Sequence, residues 1–209
     1  MATDLVGYSR MMSEDDEGTV QTLKQYRGKI DELISRYQGR IFNTAGDSVM
    51  ATFNSTVEAV RCAIAIQDDL RVFNANKTED EKFLYQIGLT VGDVMVDGED
   101  LLGDAVNIAA RIEGICEPGN IFVSSNVMEL IKGKLSYRFK SRGKHTVKNT
   151  SDPIETFSLI RKLSEVPHQS EPDSSIKNEN APDAQRKIFN LDRRVAWVGL
   201  ALLPLIAFL

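Results

Sequence analysis

Apolar residues in this chain recur with two different periods, and the order of those periods limits the folds available to it. A period near 3.6 residues runs from Val20 to Tyr37 and through residues 56–73, which predicts two amphipathic helices. Shorter apolar runs predict strands; they read RIFNTA, SVMATF, IFVS and IETFSLI. Because strands and helices mix without strict β-α-β repetition, the pattern favours an α+β fold with helices packed on an antiparallel-rich sheet over a doubly wound fold.

The end of this pattern predicts the domain boundaries. We expect one folded domain over residues 1–163. Residues 164–190 contain three of the chain's six prolines and few large apolar residues. Such a segment cannot bury enough apolar surface to offset the entropy of ordering, so we expect a disordered polar linker.

The last segment, residues 191–209, ends in the uncharged run VAWVGLALLPLIAFL. A membrane-spanning helix needs about 20 apolar residues, so this run predicts the start of a truncated transmembrane helix. Basic residues precede the run, among them Arg193 and Arg194, which favours a single-pass protein of the cell membrane with its folded domain in the cytoplasm. The alternative is a buried core helix, but the run has no polar face.

Charge and cysteine content narrow the choice of partners. The formal net charge is -5 and the pI is near 5.2, so the composition does not predict a nucleic-acid surface. Cys62 and Cys116 lie in apolar, helix-like runs without the spacing of metal ligands. We therefore expect two reduced thiols in the core.

Two aspartates interrupt apolar segments. Gly46-Asp47 separates two predicted strands, as in a hairpin turn, and Asp4 lies within a strand, where aspartate is disfavoured. Two carboxylates brought together would repel each other unless a cation lay between them, and Mg²⁺ is usually held by one or two carboxylates together with substrate phosphates. Taken alone, each aspartate is more often a turn or surface residue.

A second polar constellation is predicted on the helix over residues 104–116. Asn107 and Arg111 are four residues apart and therefore share a face among mostly apolar neighbours. An arginine and an amide projecting together suit phosphate oxygens that gain charge during a reaction. The alternative is structural, with Arg111 paired to a surface carboxylate and Asn107 bonded to a buried backbone group.

Three motifs together resemble the catalytic domain of class III adenylyl and guanylyl cyclases, over essentially all of residues 1–160. They are ATDLVGYSR at 2–10, GD at 46–47 and DLLGDAVNIAAR at 100–111. The resemblance implies a ferredoxin-like sandwich. It further implies a homodimer with head-to-tail catalytic domains and two active sites at the shared surface.

The resemblance also assigns roles to residues. Asp4 and Asp47 match the aspartates that bind two Mg²⁺ or Mn²⁺ ions, with Leu5 beside them, and Val6 and Gly7 match backbone groups near the triphosphate. Asn107 and Arg111 match the residues that orient the ribose and stabilise the reacting α-phosphate. Lys148 matches, less closely, a lysine that contacts the triphosphate.

Base selection is where the chain departs from the family pattern. Adenylyl cyclases usually read adenine with a lysine and an aspartate. Asp100 matches the aspartate, but the lysine position holds Asn43. An amide still donates a hydrogen bond, but it is uncharged and also accepts, so it could tolerate guanine. Neither glutamate nor cysteine, which guanylyl cyclases tend to carry there, is present.

The resemblance therefore implies an adenylate cyclase that converts ATP to 3′,5′-cyclic AMP and pyrophosphate. Two alternatives stay open. One is a guanylate or dual-specificity cyclase. The other is a catalytically weak pseudo-cyclase that serves as a nucleotide-binding or dimerisation module in signalling.

Overall fold

The computed structural model describes residues 1–146 and 153–160, which belong to one compact unit, Met1–Ser164. The predicted linker and apolar segment lie outside the described residues, as does Lys148, so these remain predictions. Within the described ranges, no helix is both long and apolar enough to cross a membrane.

The described residues contain five α-helices and nine strands. The helices are α1 (Tyr8–Glu14), α2 (Asp16–Arg36), α3 (Thr56–Phe73), α4 (Asp104–Gly114) and α5 (Ser125–Ile131). The strands are β1 (Ala2–Leu5), β2 (Gly39–Ala45), β3 (Ser48–Phe53), β4 (Tyr85–Leu89), β5 (Met95–Asp97), β6 (Asp100–Leu102), β7 (Ile121–Ser124), β8 (Arg138–His145) and β9 (Ile154–Ile160). A 3-10 turn occupies Glu79–Glu81.

Seven strands form one sheet in the order β2-β3-β1-β4-β7-β9-β8. Its first four strands and the helices between them follow the β-α-β-β-α-β order of a ferredoxin-like sandwich. All neighbours are antiparallel except β4 and β7. The predicted α+β class and ferredoxin-like sheet are confirmed.

Helices cover both faces of the sheet. The main core lies between one face and helices α2, α3 and α5 and includes Leu5, Val49, Ile87, Val123, Tyr26, Ile30, Val60, Ile66 and Val127. Helix α4 covers the opposite face with a smaller cluster built on Ile112, Cys116 and Phe122. Both cysteines are free and buried, as predicted.

The hairpin of β5 and β6 is a separate two-stranded sheet, which the sequence pattern did not reveal. The chain leaves the main sheet after Leu89, the last residue of β4. Met95 and Val96 in the hairpin are 70% and 71% exposed. An apolar pattern alone does not distinguish such an exposed strand from a buried one.

Candidate active site

Asp4 and Asp47, here called the acidic pair, meet where β1 ends and the β2–β3 hairpin turns. Gly46 has a φ of 60°, which glycine adopts readily and which closes the two-residue turn predicted from the sequence. The Asp47 Oδ2 atom accepts a hydrogen bond from the Leu5 amide at 3.3 Å. In return, the Ser48 hydroxyl donates to the Asp4 Oδ1 atom. Each aspartate is thus held by the residue that follows the other.

This arrangement leaves the acidic pair in need of positive charge. Burial, followed by the neighbouring Asp4 carboxylate, raises the pKa of Asp47 above its ordinary value. No three His, Cys, Asp or Glu side chains within the described ranges are grouped so that they could hold a metal ion by themselves. Two close carboxylates without a third ligand fit a divalent ion that also binds substrate phosphates.

The backbone after Asp4 is only partly available to a ligand. The Leu5 amide donates to Asp47, and the Val6 amide donates to the Leu84 carbonyl at 2.9 Å. The Gly7 amide has no hydrogen-bond partner in the described part of the chain. Of the three amides near the predicted triphosphate site, Gly7 is therefore the one left to donate.

Glu113 is a third carboxylate near the acidic pair, and the sequence reasoning missed it. Burial raises its pKa to about 7, and the charges of Asp4 and Asp47 contribute further. Its position one turn after the buried Ala109 and three residues before the buried Cys116 was the available signal. The region therefore carries more negative charge than the acidic pair alone.

Helix α4 packs on the sheet through its apolar face at a glycine. A Cβ atom on Gly88 would lie 2.3 Å from the Glu113 nitrogen and 2.5 Å from the Ala109 oxygen. Only a residue without a side chain allows the two backbones to approach so closely. The strand register places Asp4 opposite Gln86, so Asp4 lies on the same face of the sheet as Gly88 and α4.

Asn107 and Arg111, here called the polar helix face, point away from this contact. Asn107 is exposed and Arg111 is partly exposed. Within the described residues, neither side chain has a hydrogen bond or an ion pair. The structural alternative, in which Arg111 pairs with a carboxylate and Asn107 bonds to a backbone group, therefore finds no support in this part of the chain.

Asn107 and the acidic pair lie toward opposite ends of α4, whereas Arg111 lies in the last turn of the helix. The Gln86 side chain, opposite Asp4, donates to the Cys116 carbonyl just beyond the helix, whereas Gly92 meets Ala105 near its start. Asn107 precedes Gly114, the last residue of the helix, by seven residues, which is about 10 Å along the helix axis at 1.5 Å per residue. The acidic pair and Asn107 are therefore separated in a single chain.

The two predicted base-reading residues lie on adjacent elements. Asn43 is exposed on β2 and pairs with Met50, and Asp100 is the first residue of β6. The Asp100 Oδ1 atom accepts a hydrogen bond from the Leu101 amide at 2.9 Å. Arg40 on β2 connects the two elements, because its Nη1 atom donates to the Glu99 carbonyl at 3.0 Å.

A cavity of about 300 Å³ opens beside these elements, and its lining exposes both polar and apolar surface. Its walls include Phe42, Leu101 and Val106, the chain neighbours of Asn43, Asp100 and Asn107. This volume is at the lower end of the range for small-molecule sites. Asn43, Asp100 and Asn107 themselves are not among the residues that line it.

Comparison with known proteins identifies the family of this chain. The family model for the adenylate and guanylate cyclase catalytic domain matches residues 1–161. The chain therefore belongs to the class III cyclase catalytic-domain family. This confirms the family predicted from the three motifs and the enzyme class, a nucleotidyl cyclase. Proteins of this family use divalent metal ions.

Two curated relatives come from Rhizobium meliloti (strain 1021). Putative adenylate cyclase 3 is 40% identical over 156 residues, which cover 74% of this chain and 26% of the relative. Adenylate cyclase 1 is 25% identical over 178 residues, which cover 77% of this chain and 27% of the relative. The chain thus spans about a quarter of the length of these relatives.

Solved structures show the same fold. An adenylate/guanylate cyclase/hydrolase from Silicibacter pomeroyi superposes with a TM-score of 0.70 at 37% identity, covering 77% of this chain and 94% of that one. The adenylyl cyclase CyaB from P. aeruginosa has a TM-score of 0.65 at 22% identity, with coverage of 79% and 94%. At this lower identity the likeness concerns the fold alone.

Proposed function

We propose that this chain is an adenylate cyclase that converts ATP to 3′,5′-cyclic AMP and pyrophosphate at sites shared by two copies of the chain. The observation that carries the proposal is that Asn107 and Arg111 project outward without a partner among the described residues, with Asn107 separated from the acidic pair along α4. Two identical chains related by a two-fold axis can bring the acidic pair of one to the polar helix face of the other, which gives two equivalent sites.

In this reaction the ribose 3′ oxygen forms a bond to the α-phosphorus and loses its proton. The bond from the α-phosphorus to the bridging oxygen breaks, and pyrophosphate leaves. Arg111 and Asn107 would bind the α-phosphate and the ribose and offset charge that develops in the transition state. Gly7 offers a free amide to the triphosphate, and Lys148 would contact it from outside the described residues.

Asp4, Asp47 and the carbonyl of Leu5 would hold two Mg²⁺ or Mn²⁺ ions in each site. When bound, such ions lower the cost of forming a nucleophilic oxygen and neutralise phosphate charge. The raised pKa of Asp47 fits this role, because a nearby cation would offset both the burial and the repulsion that raise it.

Asn43 and Asp100 would read the base at the mouth of the cavity. The Asp100 carboxylate can accept a hydrogen bond from the adenine amino group, and the Asn43 amide can donate to a ring nitrogen. The specific observation that favours guanylate cyclase as a second candidate is Asn43 itself, whose amide can also accept a hydrogen bond from guanine.

The test is cyclic nucleotide formation by the 209-residue chain, purified in mild detergent because residues 195–209 are apolar. The chain is incubated with ATP or GTP and with Mg²⁺ or Mn²⁺. We expect cyclic AMP from ATP, and a loss of about 100- to 1000-fold in Asp47→Ala. Asp80→Ala, which removes an exposed aspartate of the 3-10 turn, is the matched control and should retain full activity.

Two results would contradict the proposal. One is the absence of a cyclic product from the unaltered chain with either nucleotide and either metal. The other is equal product formation by Asp47→Ala and by the Asp80→Ala control. Cyclic GMP as the main product would instead favour the guanylate candidate.

A further inference from the structure

An irregularity in β2 places Arg40 and Asn43 on the same face of the sheet. Arg40 pairs with Thr52 and Asn43 pairs with Met50, and the register shifts between Ile41 and Asn43. In a regular strand, residues three apart point to opposite faces. The bulge adds one residue, Phe42, and so turns Asn43 to the face from which Arg40 projects.

Arg40 uses this position to reach the β5–β6 hairpin. Its Nη1 atom donates to the Glu99 carbonyl at 3.0 Å, across 59 residues of sequence. Glu99 lies in the hairpin turn, immediately before Asp100, and Asp97 pairs with Asp100 across the turn. Among the described residues, this is the hydrogen bond that joins β2 to the hairpin.

The hairpin has few other restraints. Leu101 is buried against the cavity, but Met95, Val96 and Leu102 are 70%, 71% and 46% exposed. The Asp100 carboxylate is fixed to its own backbone through the Leu101 amide. The position of Asp100 relative to Asn43 therefore depends on where the hairpin is held, and Arg40 is the side chain that ties it to β2 by a hydrogen bond.

We propose that Arg40 is a positioning residue for base selection, which fixes the Asp100 hairpin at the correct distance from Asn43. The inference rests on the proposed function, because it concerns how that site distinguishes adenine from guanine. Arg40 acts through the hairpin backbone and does not itself contact the substrate.

The variants are Arg40→Ala and Arg40→Lys, with Arg36→Ala as the matched control. Arg36 is exposed on α2 and pairs with Glu32, away from the hairpin. For Arg40→Ala we expect KM for ATP to rise about 3- to 10-fold, the effect of losing one solvent-exposed hydrogen bond, with kcat within twofold. The ratio of kcat/KM for ATP to that for GTP should fall, and Arg40→Lys should restore part of it.

A second variant separates positioning from general stability. Asp100→Asn should itself reduce the preference for ATP, and adding Arg40→Ala to it should change that preference little further, because both substitutions act on one contact. An unchanged ATP-to-GTP ratio in Arg40→Ala, or effects of the two substitutions that multiply, would overturn the proposal.

Hydrogen exchange distinguishes failure of this inference from failure of the proposed function. In the nucleotide-free chain, amides of residues 94–102 should exchange faster in Arg40→Ala than in Arg36→Ala, whether or not the chain cyclises ATP. If the unaltered chain forms no cyclic nucleotide, the proposed function fails. If exchange in the hairpin is unchanged, the role of Arg40 fails.

Discussion

The acidic pair and the polar helix face differ in how they are satisfied within one chain. Asp4 and Asp47 are half-buried and held by Ser48 and by the Leu5 amide. Asn107 and Arg111 project from α4, and within the described residues their side chains have no partner. One group is built into the sheet, whereas the other is presented outward on a helix.

The acidic pair and the polar helix face meet two different requirements of the proposed catalysis. Carboxylates that repel each other must be fixed by the fold, because without restraint they would move apart. Groups that act on a developing charge must reach a substrate, so their donors are left free until it arrives. Helix α4 connects the two, since Glu113 faces the acidic pair and Asn107 and Arg111 face outward.

The strongest test of this comparison mixes two inactive variants. Asp47→Ala and Arg111→Ala should each lose about 100- to 1000-fold in activity, because each removes one essential electrostatic contact. Mixed in equal amounts, they should recover about a quarter of the unaltered activity, since half of the dimers would be mixed and each would hold one intact site of two. Cyclic AMP formation is measured before and after subunit exchange.

The control for this experiment mixes Asp47→Ala with Asp4→Ala. Both substitutions damage the same group, so no combination of these chains holds an intact site. Recovery in this control, or no recovery in the first mixture, would show that the two groups are not shared between chains in the proposed way.

Gly88→Ala tests the close packing of α4 on β4. This packing places Glu113 near the acidic pair and sets the position of the polar helix face. The added Cβ would meet backbone atoms of Glu113 and Ala109 at 2.3 and 2.5 Å, so the helix must move away from β4. We expect the free energy of unfolding in urea to fall by about 2–3 kcal/mol. Gly114→Ala has no atom within 4 Å of the added carbon and should be neutral or stabilising. Equal stability of the two variants would contradict the close approach at Gly88.

Glu113→Gln tests the negative charge around the acidic pair. The pKa of Glu113 is raised from 4.5 to about 7, so the unfolded chain ionises at lower pH than the folded one. Ionisation then opposes folding, and the native chain loses stability as pH rises from about 4.5 to 7. At pH 8 the glutamine variant should be more stable by on the order of 2 kcal/mol.

The measurement is the free energy of unfolding by denaturant, in EDTA, at pH 5 and at pH 8. The difference in this free energy between the glutamine variant and the native chain should be smaller at pH 5. Adding Mn²⁺ at pH 8 should also reduce it, because a cation at the acidic pair offsets the repulsion. A difference that is independent of both pH and metal would contradict the electrostatic explanation.

The smallest expected effect concerns Asn43. Asn43→Lys should raise ATP turnover about fivefold, because a charged donor forms a stronger hydrogen bond than a neutral amide. Asn76→Lys places the same charge at an exposed position after α3 and controls for a general attraction of nucleotides. A fall in ATP turnover in Asn43→Lys would mean that the native amide makes a productive contact of its own.

Much of the fold was predictable because its signals are local. Asp15 caps α2 by accepting from the Gly18 amide at 3.0 Å, within the acidic stretch that precedes the helix. The Gly46-Asp47 turn likewise follows from two adjacent residues. The isolation of the β5–β6 hairpin was not predictable, because its apolar residues carry the same pattern as those of the main sheet.

The residues of the candidate site were also predictable only where their signal is local in sequence. Asp4 and Asp47 stood out because each interrupts an apolar run. Glu113 did not, since an acidic residue on a helix is ordinarily taken as part of a solvated face. Arg40 carried no signal, because its contact with Glu99 spans 59 residues and depends on a bulge that sequence patterns do not reveal.

The sequence by itself determined the elements, the family and the side chains that carry charge, because periodicity, turn residues and motif spacing are properties of neighbouring positions. Only the tertiary structure decided which of those side chains meet. It brought Asp4 and Asp47 together across 43 positions of sequence and placed Asn107 some distance along α4 from them. Burial and mutual repulsion act through space, and so the charge state of the site arises only once the sheet and α4 have packed.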